Sequence, residues 1–245
     1  MKIKYFIVII IIVFGVSCSS AKKRAVSKER VKIIKMEEDS RNYFKAYDPW
    51  EPFNRRMYYF NAKFDDYIFL PVVDTYRYVT PNFVEKGVHN FFINLSEIRT
   101  FVNSSLQFKG KKSLVTFNRF AINSTFGVLG FFDLASQVGL TRYKEDFGQT
   151  LAYYGVGPGP YLVLPLLGPS TLRDATGLGI DTVVQNYADP LNLGDASRNN
   201  TEFLVTNSVD SRSNVDFRYY STGTPFEYEY LRFLYIKVRE LQGQN

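Results

Sequence analysis

The chain has a single cysteine, Cys18, and it stands directly behind a short apolar stretch near the N-terminus. A lone thiol removes disulfide frameworks, thiolate metal clusters and cysteine redox pairs from the folds and chemistries open to this chain. Lys2 and Lys4 form a basic start, Tyr5 to Val16 are apolar, and Gly15-Val16-Ser17-Cys18 ends the stretch with small residues before the cysteine. This is the order of a secretory signal closed by a bacterial lipobox, with Gly15 where an aliphatic residue is usual. The stretch is shorter than the roughly 20 apolar residues of a spanning helix, and polar residues begin at Ser19. Residues 1–17 are therefore expected to be a lipoprotein signal peptide, and Cys18 the lipidated first residue of the mature chain.

Ser19, rather than Asp, follows the cysteine, which under the usual Gram-negative sorting rule favours the outer membrane, periplasmic side. Residues 18–46 read as a flexible polar tether that starts with Lys22-Lys23-Arg24. The net charge of +6 falls to +4 without Lys2 and Lys4. A basic surface suits nucleic acid or anionic lipid. An exported lipoprotein meets lipid, so no nucleic-acid partner is expected. The aromatic fraction of 17%, with 22 Phe and 18 Tyr, fits either a packed core or a membrane interface.

Periodicity predicts a mainly α domain over residues 47–240, followed by a polar tail at 241–245. Asp48-Pro49-Trp50-Glu51 has the form of a helix cap. Phe53, Met57, Phe60, Phe64 and Tyr67 then mark an apolar helix face, expected to stop at Pro71. Val84, Val88, Phe91, Leu95, Ile98 and Val102 repeat the pattern after Pro81, with Asn90, Asn94 and Glu97 off the stripe. Leu114, Phe117, Phe120 and Ala121 are expected to face inward on a third helix from about Ser113, behind a break at Gly110. Further helices are expected over 170–187, 201–212 and after Pro225, the last with Tyr228, Leu231, Leu234, Tyr235 and Val238 on its apolar side; Asp189-Pro190 marks a turn between them.

Between these lie two apolar arms, Phe126 to Ala135 and Leu151 to Leu167, on either side of a polar interruption at Tyr143 to Gln149. The second is broken by Gly155, Gly157, Pro158, Gly159, Pro160 and Pro165. Such Gly/Pro density disfavours a buried helix pair. It predicts a hydrophobic hairpin at membrane depth.

Catalytic signals are weak. His89, the one histidine, has no second ligand at metal spacing and reads as structural. No G-x-S-x-G elbow is present. Gly155-Val156-Gly157-Pro158-Gly159 is not a phosphate cradle, because prolines remove donors. The adjacent acids Asp65-Asp66 and Glu145-Asp146 read as solvated turns. The chain is therefore read as a non-enzyme with no cofactor and no metal.

Several short motifs carry a resemblance over roughly Tyr47 to Arg239. They include Asp48-Pro49-Trp50-Glu51-Pro52-Phe53-Asn54-Arg55 with Phe60-Asn61, Arg119-Phe120, and Asn123-Ser124-Thr125. Gly87-Val88 with Asn90-Phe91-Phe92 and Asn94-Leu95, Asp146-Phe147-Gly148-Gln149-Thr150-Leu151, Tyr154-Gly155-Val156-Gly157, Gly159-Pro160-Tyr161, Leu164-Pro165-Leu166-Leu167-Gly168-Pro169-Ser170, Arg173-Asp174 and a late Asp210-x-Arg212 complete the set. In this combination the chain resembles the MlaA (VacJ) family of outer-membrane lipoproteins. The resemblance implies a ring-like assembly of amphipathic helices with a Gly/Pro-rich hydrophobic hairpin, embedded in one membrane leaflet, the inner leaflet of the outer membrane.

It also implies an amphipathic channel that removes mislocalised phospholipids from the outer leaflet, hands them to a periplasmic MlaC-like carrier and maintains lipid asymmetry, in some members beside a trimeric porin. On that reading Gly155, Gly157, Gly159 and Pro160 form the gate, and Asp48, Pro49, Glu51, Phe53, Asn54, Arg55 and Asn61 are structural motif residues. Two alternatives stay open: a lipoprotein that braces a porin or the envelope without moving lipid, and a soluble lipid chaperone.

The anchor has a direct check. One acyl chain binds a membrane only marginally, so mass spectrometry of the mature N-terminus should find Cys18 as a multiply acylated first residue. An intact Met1 or an unmodified Cys18 contradicts the assignment.

Overall fold

A computed structural model describes residues 47–187 and 201–244. The chain groups into two units, Met1–Asp39 and Ser40–Asn245, and the described residues all belong to the second. The expected signal peptide, Cys18, the tether and the Asp189-Pro190 turn lie outside the described residues.

The described part is mostly helical. Helix α1 spans Glu51–Phe64, with Pro52 in the first turn, where a missing N–H leaves nothing unpaired. The expected side-chain cap does not form: Trp50 is the capping residue, and its carbonyl accepts from the Phe53 and Asn54 amides. The Asp48 carboxylate goes instead to Asn54 Nδ2 (2.7 Å), the Tyr228 hydroxyl (2.5 Å) and Arg232 (2.9 Å). A guanidinium is a stronger partner for a carboxylate than a peptide N–H.

Nor does Pro71 end the helix. The chain widens through a π-helical turn, Asp65–Phe69, and continues as α2, Leu70–Val79. The Leu70 amide reaches back five residues to the Asp65 carbonyl. Proline has no N–H and its ring crowds the carbonyl four residues behind it. A wider turn accommodates both defects and lets the helix run on to Thr80, which is extended before Pro81.

Helices α3 (Asn82–Leu106) and α4 (Gly110–Thr125) pack against each other along their lengths. The break between them falls at Gln107 to Lys109, with Phe108 at φ 55°, so Gly110 begins α4. Short helices α5 (Leu134–Gln137) and α6 (Phe147–Tyr153) are capped by the Asp133 and Asp146 carboxylates. Strands β1 (Tyr161–Leu164) and β2 (Gly168–Thr171) pair antiparallel, Tyr161 opposite Thr171 and Leu164 opposite Gly168. Helices α7 (Leu172–Tyr187), α8 (Thr201–Ser213) and α9 (Glu227–Gln244) follow. The expected polar tail is the last turn of α9.

The Gly/Pro-rich hairpin therefore closes within the second apolar arm, not between the two arms. The first arm is a tight turn, with Val128 at φ 53° and Leu129 at φ 56°, running into α5. Among the described residues no helix is long and apolar enough to cross a membrane.

The largest departure concerns which helix faces are buried. On α3 the buried residues are Gly87, Asn94, Leu95, Glu97, Thr100, Asn103 and Ser104. On α4 they are Thr116, Arg119 and Asn123, while Leu114 is 62% and Phe117 51% exposed. On α1 Asn54, Tyr58, Asn61 and Ala62 are inside and Phe53 and Phe60 face out, as does Tyr67 in the π-helical turn. On α9 Tyr228 is buried beside Glu227, Glu229 and Arg232, whereas Leu234 and Val238 are exposed. The helices and their two-sidedness are as the periodicity predicts, and the polar stripes turn inward. The apolar stripe turns out on α4 and in part on α1 and α9, whereas on α3 it is half-buried with Leu95 inside, and Met57, Leu231 and Tyr235 pack against the core as expected.

A small aromatic cluster of Tyr58, Tyr161, Val163 and Tyr228 holds β1 against α1 and α9. Two asparagines seven residues apart on α1 complete the attachment. Asn54 donates to the Tyr161 carbonyl (3.0 Å) and accepts from the Val163 amide (2.9 Å). Asn61 donates to the Leu164 carbonyl (2.9 Å) and accepts from the Leu166 amide (2.8 Å). The side chains act as a substitute strand and cover the free edge of β1, which is otherwise a row of unpaired backbone groups. Replacing Asn54 with Leu strands a buried donor and acceptor, so an Asn54→Leu variant should lose about 2–4 kcal/mol in denaturant unfolding in detergent. A change within about 0.5 kcal/mol, the range of a neutral surface substitution, contradicts this role.

Candidate functional site

The inward polar stripes meet in four ionic knots. The first ties the start of the domain to its end. Arg232 reaches Asp48 (2.9 Å) and Glu51 (3.2 Å), and Arg55 joins Glu51 (2.9 Å) and Glu229 while lying 4.4 Å over the Tyr228 ring. Burial alone would raise the Glu51 pKa; Arg55 and Arg232 outweigh it and hold the carboxyl below its usual range. Burial and the bond to Asp48 push the Tyr228 hydroxyl well up, so it stays a donor.

The second knot sits where the π-helical turn aims Asp65 inward. Arg212 grips both Asp65 oxygens at 2.7 and 2.8 Å and also donates to the Val215 and Phe217 carbonyls. Next to it a cavity of about 320 Å³ is lined by Tyr58, Asn61, Leu166, Arg212 and Tyr219, among others. On the same helix as Arg212, Asp210 holds His89 Nδ1 at 2.9 Å, so the one histidine is structural.

The third knot centres on Arg119, which has no solvent exposure. It donates to Glu97 (2.8 Å), both Asp133 oxygens (3.2 Å each), Ser136 Oγ and the Leu140 carbonyl. Asn123 extends the cluster by bonding Asp133 and the Ala135 amide.

In the fourth, Arg239 bridges Asp146 (2.7 and 2.8 Å) and Asp174 (2.9 Å to each oxygen). Burial would raise the Asp146 carboxyl, but Arg239 and Gln149 pull it down to about 2. The adjacent acids are thus not solvated turns. Asp65 and Asp146 anchor ion pairs, and buried Glu145 takes Lys112 (2.7 Å) and Lys109 (3.4 Å); Asp66 alone of the four is exposed.

The glycine segment stands apart from these knots. Gly155 (φ 85°) and Gly159 (φ 67°) need left-handed backbone, which glycine adopts freely. Gly157 has neither a positive φ nor a neighbour within 4 Å of an added Cβ, so the reason for a glycine there is not steric. The Pro160 carbonyl accepts from the Leu172 amide (3.0 Å), tying the end of the segment to α7. Among the motif residues, Asp48, Glu51, Asn54, Arg55 and Asn61 converge on the first knot and the β1 edge. Pro49 and Phe53 are exposed at the helix entry.

Sequence reading missed the partners: Arg119, Arg232, Arg239, Asp133 and Asp174 as charge centres, and Glu97 as an inward residue. A signal was present, because Thr116, Arg119 and Asn123 recur at helical spacing just as the apolar residues do. Outside, the surface carries Tyr78, Phe108, Phe126, Val128 and Leu167, each more than half exposed. Several sit on turn tips, where no packing against the protein holds them.

The MlaA lipoprotein family model matches residues 46–242. An uncharacterized protein of Rickettsia prowazekii (strain Madrid E) is 44% identical over 143 residues, which is 58% of this chain and 55% of that protein. The intermembrane phospholipid transport system lipoprotein MlaA of Escherichia coli (strain K12) is 42% identical over 134 residues, 53% of each chain. The chain spans about half the length of these curated relatives. A solved structure, described as the structural basis for maintenance of bacterial outer membrane lipid asymmetry, is 30% identical, with a TM-score of 0.64. The match covers 81% of this chain and 100% of that one. The chain belongs to the MlaA lipoprotein family.

Proposed function

We propose that this chain moves phospholipids: it takes those mislocalised in the outer leaflet of the outer membrane, carries their headgroups along its polar interior, and hands them to a periplasmic MlaC-like carrier. The observation that carries this reading is the polar interior: polar helix faces are buried against one another, while many large aromatic and aliphatic side chains are turned out. A headgroup crossing hydrocarbon without partners is expensive. A polar interior removes that penalty while the acyl tails stay in an apolar environment. Such transfer makes and breaks no covalent bond, so it needs no nucleophile and no cofactor.

The remaining parts of the reading follow from the same function. Cys18 supplies the lipid anchor at the periplasmic face, and the outward apolar faces rest in the inner leaflet. A trimeric porin is the neighbour that the family resemblance suggests. Gly155 to Pro160 acts as the gate, through the two positions whose backbone only glycine adopts freely.

The test is outer-leaflet phospholipid in cells with and without this protein. Loss of the chain should raise it, and complementation should restore it. Gly155→Val, strained at its φ but in open space, should leave abundance normal and change outer-leaflet lipid, whereas Gly157→Val should be silent. Unchanged outer-leaflet lipid in the deletion contradicts the transport reading. Unchanged lipid with Gly155→Val at normal abundance contradicts the gate alone.

A further inference from the structure

Three cations take part in no ion pair among the described residues: Arg99 on α3, and Arg142 and Lys144 on the segment between α5 and α6. Arg99 and Lys144 line one pocket of about 220 Å³, together with Asp146, Asp174, Asp181 and Arg239. Arg142 lies close enough to both for their charges to repel. Carboxylates lie near each of them, Glu97 and Asp133 near Arg142, Asp146 near Lys144 and Asp181 near Arg99, but none forms an ion pair with it among the described residues. The three cations also repel one another, so their unused N–H donors call for an explanation.

The carboxylates of the pocket do not provide one, because every one of their oxygens already has another donor. Asp146 accepts from Arg239 and Gln149 on both oxygens. Asp174 accepts from Arg173, Tyr235 and Arg239. Asp181 accepts from Asn103 Nδ2 (2.8 Å) and the Phe147 amide (2.9 Å). Arg99 Nε is buried with no hydrogen-bond partner at all. A buried guanidinium N–H left unmet carries a full desolvation penalty. Lys144 remains open to solvent, yet the protein packed around it and the repulsion from Arg99 and Arg142 lower its pKa. The donors are in place and the acceptor is missing.

We infer that Arg99 and Lys144, with Arg142 beside them, form a recognition site for a phosphate group entering the 220 Å³ pocket. The inference rests on the phospholipid reading for its preferred source, the phosphodiester of a lipid headgroup; a free phosphate offers the same chemistry. The planar arginine fork matches phosphate oxygens in pairs, and lysine adds a point charge. Arg239 stays committed to its two aspartates and helps only by holding the wall of the pocket.

The experiment uses the full chain in dodecyl maltoside, a detergent without phosphate. Dihexanoyl phosphatidylglycerol, sodium phosphate and dihexanoylglycerol are titrated separately, with ³¹P line width and calorimetry as readouts. An Arg142→Gln/Lys144→Gln double variant alters exposed side chains that make no bond in the fold, so it should remain folded; Lys86→Gln/Lys111→Gln serves as the charge-matched control. The phospholipid should bind the wild type and the control alike, and the site variant at least about tenfold more weakly, as expected for loss of charge-assisted bonds. Phosphate binding with the same loss supports the site and identifies the free anion as a second source. Equal phospholipid affinity in the site variant, or equal binding of phosphate-free dihexanoylglycerol, overturns the proposal. The transport reading is judged separately by the deletion experiment, so each can fail without the other.

Discussion

Buried charge has to be neutralised, and that requirement organises this structure. Arg119 has no exposure to solvent and still satisfies its guanidinium, because Glu97, Asp133, Ser136 and the Leu140 carbonyl surround it. The other knots tie distant parts of the chain: Asp48 to Arg232, Asp65 to Arg212, Asp146 to Arg239. Buried ion pairs are weak as net stabilisers, but removing one partner is strongly destabilising. Their effect is to allow few alternatives: each helix must present its own charge to its own partner. A conventional apolar core tolerates more rearrangement than that.

This constraint explains why the helices were legible in the sequence and their orientation was not. Spacing divides a helix into an apolar and a polar face, as it does on α3 and α4, and the apolar face was expected inside. Spacing cannot say whether that face meets protein or lipid. The assumption that apolar stripes point inward holds in water, where burial of apolar surface drives folding. It reverses when the surroundings are themselves apolar. The buried polar series Asn94, Glu97 and Thr100 and the series Thr116, Arg119 and Asn123 were equally periodic, and they were the stripes that met inside. Pro71 misled for a different reason: a π-helical turn absorbs the proline, and nothing local announces it. The two four-residue strands were hidden among glycines and prolines, and Asn54 and Asn61, which bond the backbone of β1 and its turn, lie more than a hundred residues away.

The functional residues divide along the same line. The motif around Asp48 to Asn61 was legible as a unit, and its parts do come together, though by holding β1 and the C-terminal helix instead of capping α1. The arginines that answer its charges lie near the other end of the chain, beyond the reach of spacing rules. The glycines at 155 and 159 have the backbone that a hinge or tight turn requires. Exposed apolar tips such as Phe108 and Phe126 accompany the polar interior, and together they suit the proposed transport role.

The surroundings of the outward faces can be measured directly by placing a reporter on them. Trp50 is the sole tryptophan, so a Trp50→Phe background allows single tryptophans at Leu114 and Phe126, which are 62% and 75% exposed. In liposomes of lipids brominated along the acyl chains, both reporters should be quenched by bromine and protected from aqueous iodide. Quenching by iodide and not by bromine at both positions would put these faces in water and contradict the account.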